Sequence, residues 1–206
     1  MRTVGATIKD LPSHFSRARA VHCLVSVTVA IYLVAILGPL ELPLGSVPLG
    51  ALKGDWWRLI TANFLHLALW HVTANMLGLL IFGPPLERMV GATRFLGLYV
   101  CSGVLAMFIV SLGGRGAAGA SGGLAGVLGA LVVLAWRRRH RSEAMRGLVI
   151  MALASSTLFL LSGSILWAIS GIPVADDAHL AGFVTGLLVG PLLEQGGRLR
   201  PSGSSR

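Results

Sequence analysis

The sequence predicts an all-α, polytopic membrane protein with six transmembrane helices. Of its 206 residues, 54% are hydrophobic and only 12% are charged, whereas soluble domains are usually about 25% charged. The apolar residues are concentrated in six stretches, several of them close to the ~20 residues that cross a bilayer as a helix. Lysine and arginine are spread unevenly over the connections between these stretches, as expected for a chain that crosses a membrane repeatedly.

The six apolar segments make up one predicted membrane domain, residues 20–194. The segments are 20–37, 67–82, 95–112, 121–136, 148–169 and 179–193. We expect the second segment to end at Pro84 and Pro85. Residues 1–19 are expected to be a cytosolic lead without a cleavable signal, and residues 195–206 a cytosolic tail.

The connection between the first two segments, residues 38–65, is long and rich in proline and glycine. Trp57 and Arg58 lie late in it, and aromatic residues beside an arginine suit the headgroup level of a bilayer. We therefore expect this connection to lie in the membrane interface, where Trp57 and Arg58 act as anchors rather than as catalytic groups.

The two cysteines, Cys23 and Cys101, fall inside apolar segments and are expected to be buried free thiols. Neither a disulfide framework nor a metal-ligand spacing is visible. The sequence therefore predicts no metal and no other cofactor.

The distribution of positive charge predicts the orientation of the chain. With the N-terminus inside, 14 of the 17 lysines and arginines fall on the inner side, leaving Lys53, Arg58 and Arg115 outside. We expect both termini in the cytoplasm, and high alanine, glycine and arginine usage favours a bacterial plasma membrane. The same asymmetry explains the formal net charge of +9, so the expected partner is the lipid bilayer and not a nucleic acid.

Polar residues on three of the segments are predicted to share one depth in the membrane. Measured from the inner boundary of each helix, Ser121 lies 15 residues before Trp136 and His179 lies 15 residues before Glu194. His71 lies 16 residues before Glu87. At a rise of ~1.5 Å per residue, each is about 22–24 Å from the inner face. Asn75 follows one turn below His71, on the same side of its helix.

Stripes of glycine predict which of these helices are neighbours. Small residues let helices approach closely in lipid, so the fourth and sixth segments are expected to pack glycine to glycine, bringing Ser121 near His179. The stripes are Gly122, Gly126 and Gly129 on one segment and Gly182, Gly186 and Gly190 on the other.

These residue types suit acyl transfer. A serine becomes a nucleophile when a base within hydrogen-bond reach takes its proton, and histidine is the usual base. His71, the Asn75 amide and the main-chain N–H of Ser121 could stabilise the oxyanion that then develops. Because no carboxylate is placed in the sequence as an obvious third member of a triad, a Ser121–His179 dyad is expected.

With these residues in place, the chain resembles the rhomboid family of intramembrane serine proteases. The resemblance spans residues 20–194 and its ordered motifs are specific, although a single Gly-x-Ser-Gly string would be weak evidence. The motifs are Trp57-Arg58, His66-x4-His71-x3-Asn75, Glu87-Arg88, Gly119-Ala120-Ser121-Gly122 and Ala178-His179-Leu180-Ala181-Gly182-x3-Gly186.

The resemblance implies a six-helix bundle in which Ser121 is the nucleophile, His179 the base, and His71 and Asn75 the groups that bind the oxyanion. Gly119, Gly122, Gly182 and Gly186 would support them. The serine would lie at the base of a water-filled cavity open to the outer face. Substrates would be single-span membrane proteins that enter laterally. His66 could equally be interfacial or functional.

One position departs from the family pattern. Family members often carry an aromatic residue four positions after the serine, packed under the catalytic histidine, and this chain has Ala125 there. Either another side chain fills that space or the protein is a weak or inactive relative that binds membrane-protein clients.

Two unrelated classes fit the sequence less well. A small transporter would need a continuous polar path, and the polar groups here stop in the outer third. An intramembrane metalloprotease would need His-Glu-x-x-His, whereas the second segment offers His71 and Asn75 without a carboxylate.

Overall fold

The computed structural model describes residues 18–37, 52–163 and 175–194. Within these ranges the chain forms seven α-helices and one 3-10 turn, and no strand. They are α1 (Arg19–Leu37), α2 (Arg58–Thr61), the 3-10 turn Ala62–Phe64, α3 (Leu69–Val90), α4 (Ala92–Leu112), α5 (Ser121–Arg138), α6 (Glu143–Leu160) and α7 (Asp176–Leu193). The predicted all-α class is confirmed for this part of the chain.

Helix α5 is the centre of the bundle. Of its 18 residues, 12 are buried, and it packs against α3, α4, α6 and α7. Its composition explains this position, since glycine and alanine leave room for four neighbouring backbones to approach. Helix α1 lies outside α5 and packs mainly against α3.

The outer surface of the bundle is strongly apolar. Four of the described helices, α1, α3, α4 and α6, are long and apolar enough to cross a membrane. The exposed apolar side chains include Leu37, Ile150, Leu158, Leu188 and Leu192. Surface of this kind is stable in contact with lipid and not with water, which indicates a multi-pass membrane protein.

Helices α5 and α7 do not belong to this group of four. Each is 18 residues long, rich in small residues, and charged at one end. Neighbouring helices cover most of α5, whereas α7 exposes apolar side chains such as Leu188 and Leu192. That the chain crosses the membrane six times therefore stays a prediction.

The prediction that the second segment ends at Pro84 and Pro85 was wrong, because α3 continues through both residues to Val90. Prolines are tolerated in membrane helices where neighbouring elements support the backbone. Here the buried Glu87 carboxylate accepts hydrogen bonds of 3.1 and 3.0 Å from two main-chain N–H groups in the first turn of α1. This contact fixes the last turns of α3 against the start of α1.

Three further helices begin earlier than predicted. Helix α4 starts at Ala92, directly after Gly91, whose φ of +88° suits the sharp turn from α3. Helix α6 starts at Glu143, because the Ser142 hydroxyl caps it by accepting a 3.2 Å hydrogen bond from the main-chain N–H of Met145. Helix α7 starts at Asp176, in line with the preference for acidic residues at helix N-termini.

The expectation that both cysteines are buried was wrong. Cys23 on α1 and Cys101 on α4 are free and exposed on the surface of the bundle, where thiols are compatible with an apolar surrounding. Some predicted segments lie outside the described residues: residues 1–17 of the lead, the whole tail 195–206, residues 38–51 of the interfacial connection and residues 164–169 of the fifth segment.

Candidate active site

The site is built on the contact between α5 and α7. A Cβ atom on Gly182 would come within 2.1 Å of the Gly122 carbonyl oxygen, and one on Gly186 within 2.1 Å of the Gly126 carbonyl oxygen. Only glycine permits so close an approach. The contacts advance in the same direction along both helices, so α5 and α7 run parallel with their N-termini at one end, packed glycine to glycine as the sequence predicted.

This packing brings Ser121 and His179 to the same end of the helix pair. Ser121 is the first residue of α5 and partly exposed, whereas His179 is the fourth residue of α7 and only 4% exposed. Among the described contacts, no hydrogen bond joins the Ser121 hydroxyl to the His179 imidazole. Such bonds are often long in unliganded sites and shorten when substrate binds.

His71 is held beside Ser121 by the backbone of Gly119. Gly119 has a φ of +141°, and a Cβ there would lie 2.7 Å from Cε1 and 2.9 Å from Nε2 of His71, and 3.8 Å from Oγ of Ser121. The main-chain N–H of Gly119 donates a 2.9 Å hydrogen bond to the carbonyl of Ala62. The 3-10 turn therefore fixes the segment that leads into α5.

Asn75 lies on the same face of α3 as His71 but is only 3% exposed. Its Nδ2 donates to the main-chain carbonyl of His71 (2.9 Å) and is 3.3 Å from Nε2 of His66. One N–H of the amide is thus bonded to the His71 carbonyl, and the other shares the single lone pair of His66 Nε2 with the main-chain N–H of Ala120. The buried Oδ1 atom has no hydrogen-bond partner among the described residues.

His66, whose role the sequence left open, belongs to the interior of the site. It is 6% exposed, and its Nε2 accepts a 3.3 Å hydrogen bond from the main-chain N–H of Ala120, next to Ser121. Burial first, and the charge of His71 second, lower the pKa of His66 to about 4, so its imidazole is neutral at pH 7 and able to accept. The His66-x4-His71 spacing was the available sequence signal.

Trp57 and Arg58 lie at the start of α2, which packs against α4. Trp57 is 44% exposed, and its Nε1 donates a 3.3 Å hydrogen bond to Asp55. The interpretation of Trp57 and Arg58 as interfacial anchors stays a prediction.

Sequence reasoning missed three contacts around His179. The ring of Phe159, from the last turns of α6, lies 4.3 Å from the imidazole between ring centroids. Asp176 accepts a 2.9 Å hydrogen bond from the main-chain N–H of Gly163, and Asp177 pairs with Arg115 of the loop before α5. No pattern in the sequence pairs these positions, which are 13 to 62 residues apart.

Neither a metal site nor an apolar pocket competes with this assignment. In the described ranges, no three His, Cys, Asp or Glu side chains converge to hold a metal ion. A groove of about 360 Å³ lies between α1 and α3, lined almost entirely by apolar side chains and containing none of the site residues.

Comparison with known proteins gives a consistent family. The model of the Rhomboid domain matches residues 53–195, more than half of the chain. The chain is 31% identical over 141 residues to rhomboid protease GlpG of Salmonella newport, covering 66% of this chain and 48% of that protein. It is 29% identical over 198 residues to rhomboid-like protease 1 of Toxoplasma gondii, covering 87% and 65% respectively.

A shorter match reaches higher identity, with 46% over 57 residues of the putative rhomboid protease YdcA of Bacillus subtilis, covering 28% of this chain and 29% of that protein. The chain spans less than two thirds of the length of each of these relatives.

Proposed function

This chain belongs to the rhomboid family, and on that premise we propose that it is an intramembrane serine endopeptidase. Its substrates are single-span membrane proteins, cleaved within or beside their transmembrane segment. The membrane domain is residues 20–194, with six spans in the plasma membrane, both termini in the cytoplasm and the active site open to the outer face.

Ser121 and His179 form the catalytic dyad. His179 takes the proton of the Ser121 hydroxyl as Oγ bonds to the scissile carbonyl carbon and the carbonyl electron pair moves to oxygen. When that pair returns, the C–N bond breaks and the departing amine takes the proton from His179. A water molecule, deprotonated by His179, then attacks the acyl ester and releases Ser121 with its proton restored.

The oxyanion of both tetrahedral intermediates is bound by His71, Asn75 and the main-chain N–H of Ser121. The first N–H groups of a helix have no acceptor within the helix and carry partial positive charge, so the start of α5 suits this role. His71 is beside Oγ of Ser121. Asn75 acts after its amide rotates one N–H away from the His71 carbonyl.

The observation that carries the proposal is the packing of Gly182 on the Gly122 carbonyl. Gly122 directly follows Ser121, and Gly182 lies three residues after His179. Their contact leaves the two side chains at the common end of α5 and α7. A nucleophile and a base on neighbouring rigid elements are the requirement for a hydrolase of this type.

The test is covalent labelling of the purified protein with a fluorescent fluorophosphonate, together with cleavage of a single-span reporter in detergent micelles. We expect the wild type to be labelled and active, and Ser121→Ala and His179→Ala each to lose both properties while keeping the wild-type melting temperature.

The matched controls are Ser156→Ala and His140→Ala. Ser156 is a buried serine whose hydroxyl bonds only to the carbonyl of Ala152, and His140 is exposed near the end of α5; both variants should keep full activity. A folded wild type that is neither labelled nor active would reject the protease and favour a client-binding relative. Labelling that survives in Ser121→Ala would reject the assigned nucleophile.

A further inference from the structure

Among the described residues, no side chain forms a hydrogen bond to the imidazole of His179. Its Nδ1 is buried without a hydrogen bond of normal geometry, and the main chain of Phe159 is near enough to act on the ring. In a triad, a third group bonded to this nitrogen fixes the orientation of the ring. A buried ring without such a bond needs another constraint if its second nitrogen is to face the nucleophile.

The carboxylates near His179 are already engaged elsewhere. Asp176 and Asp177 are close enough to act on the imidazole through their charge. However, Asp176 accepts the hydrogen bond from the main-chain N–H of Gly163, and Asp177 pairs with Arg115. Neither acts as the third member of a triad in this arrangement.

The aromatic ring of Phe159 supplies a direct contact instead. Its centroid is 4.3 Å from that of the imidazole, and the two planes are inclined by 36°. This is a tilted contact, slightly closer than the separation of about 4.5–7 Å usual for aromatic pairs. Phe159 is partly buried and packs against the main hydrophobic core, so its own position is held by its neighbours.

This contact is specific rather than part of a broad interface. Helix α7 packs along α5 and α4, and it makes few contacts with α6. On α5, the fully buried Ala125 packs against Gly182 with only a methyl group. A methyl group presents no flat surface that could restrict the rotation of a ring.

From these contacts we infer that Phe159 is a positioning residue, whose ring restricts rotation of the His179 imidazole and keeps Nε2 directed toward Ser121. This inference rests on the proposed function for its effect on catalysis. The stacking contact itself does not depend on activity. Phe159 thereby provides from α6 the aromatic support that Ala125 cannot provide from α5.

The kinetic test compares Phe159→Leu, Phe159→Tyr and Phe159→Trp in reporter cleavage. Leucine keeps an apolar side chain but removes the flat ring, so kcat should fall about tenfold with little change in KM. Tyrosine or tryptophan should restore most of kcat. The matched control is Leu158→Ala, the exposed neighbour on α6, which should behave as the wild type.

A second measurement separates this inference from the protease assignment. The six histidines are observed by NMR after ¹³C-histidine labelling in the inactive Ser121→Ala background, and the signal absent from His179→Ala identifies His179. Phe159→Leu should shift that signal through loss of the ring current and leave the others in place.

If folded Phe159→Leu cleaves the reporter with the kcat of the wild type, the positioning role is overturned and the proposed function is not affected. An unchanged His179 signal would overturn the stacking contact. If the His179 signal shifts but the wild type has no activity that depends on Ser121, the stacking contact stands and the proposed function is rejected.

Discussion

At the residue scale, His71 and Asn75 share one face of α3 but differ in their freedom to bind a negative charge. His71 is half-buried and adjoins Oγ of Ser121. Both N–H groups of Asn75 are engaged, one with the His71 carbonyl and one with His66. Asn75 must give up a hydrogen bond before it can donate to substrate, and His71 need not.

We therefore expect His71→Ala to lower kcat for reporter cleavage by about 10²–10³-fold, the usual cost of losing an oxyanion donor. Asn75→Ala should lower it only about tenfold. Steady-state kinetics of the two variants, at matched melting temperature, provide the comparison. An Asn75→Ala defect as large as that of His71→Ala would show that the amide is already an equal donor.

Gly119 is the position where the backbone itself is constrained. Its φ of +141° is strained for any residue with a Cβ, and that Cβ would overlap the His71 ring. Both the strain and the overlap arise two residues before the proposed nucleophile, Ser121.

Gly119→Ala should lower the free energy of unfolding by about 1–3 kcal/mol and reduce activity further by displacing His71. Thermal unfolding in detergent and reporter cleavage measure the two effects. The matched control is Gly97→Ala on α4, where a Cβ meets no atom within 4 Å and replacement in a helix is neutral or slightly stabilising. Equal stability of both variants would contradict the assigned strain.

At the scale of elements, the close contact between α5 and α7 sets the geometry of the site. Gly186 is two turns below His179, and a Cβ there would lie 2.1 Å from the Gly126 carbonyl oxygen and 2.8 Å from the main-chain nitrogen of Ala130. These are backbone atoms and cannot move aside as a flexible side chain would.

Gly186→Ala should therefore force the helices apart, lower stability by about 1–3 kcal/mol and reduce kcat without touching substrate. The control is Gly147→Ala on α6, where the added Cβ has open space. The melting temperature and kcat should fall together in Gly186→Ala. If both stay at the wild-type values, the two helices are not in such close contact at this position.

At the scale of the whole molecule, the ends of α5 and α7 away from the site are joined by an ion-pair cluster. Arg138 donates to Glu194 at 2.8 and 3.0 Å, and Arg137 is 3.6 Å from the same carboxylate. Hydrogen bonding from Arg138 holds the pKa of Glu194 below its ordinary value of 4.5, with the charge of Arg137 adding to the effect and burial opposing it.

Because the pKa of Glu194 is lower in the folded state, this stabilisation is complete above about pH 4.5 and is lost as the pH falls through the folded-state value. Glu194→Gln should lower the melting temperature by a few degrees at pH 7, for a loss of about 1 kcal/mol. The gap from the wild type should narrow as the pH falls below about 4.5. A gap that is independent of pH would exclude the ion pair as its cause.

The predicted topology can be tested in a variant without Cys23 and Cys101. Gly116→Cys, in the loop before α5, should react with a membrane-impermeant maleimide on intact cells. His140→Cys, after α5, should react only after lysis, because the arginine-rich loop is expected in the cytoplasm. The reverse pattern would invert the orientation, and labelling of both positions on intact cells would reject a span between them.

The periodicity and composition of the sequence determined much of this protein. Long apolar segments specify helices because backbone groups in lipid must be satisfied within the segment, so the all-α class and the helix order followed directly. The glycine stripes predicted the close packing of α5 on α7, which is confirmed, because close approach in lipid depends on local residue types.

Only the tertiary structure decided the contacts between residues distant in sequence. The continuation of α3 past Pro84 depends on Glu87 meeting the start of α1, and no local pattern encodes that contact. The stacking of Phe159 on His179, the hydrogen bond from Ala120 to His66 and the engagement of Asn75 depend in the same way on how helices are rotated about their axes. Side-chain packing selects that rotation across the whole bundle, and a single sequence does not reveal it.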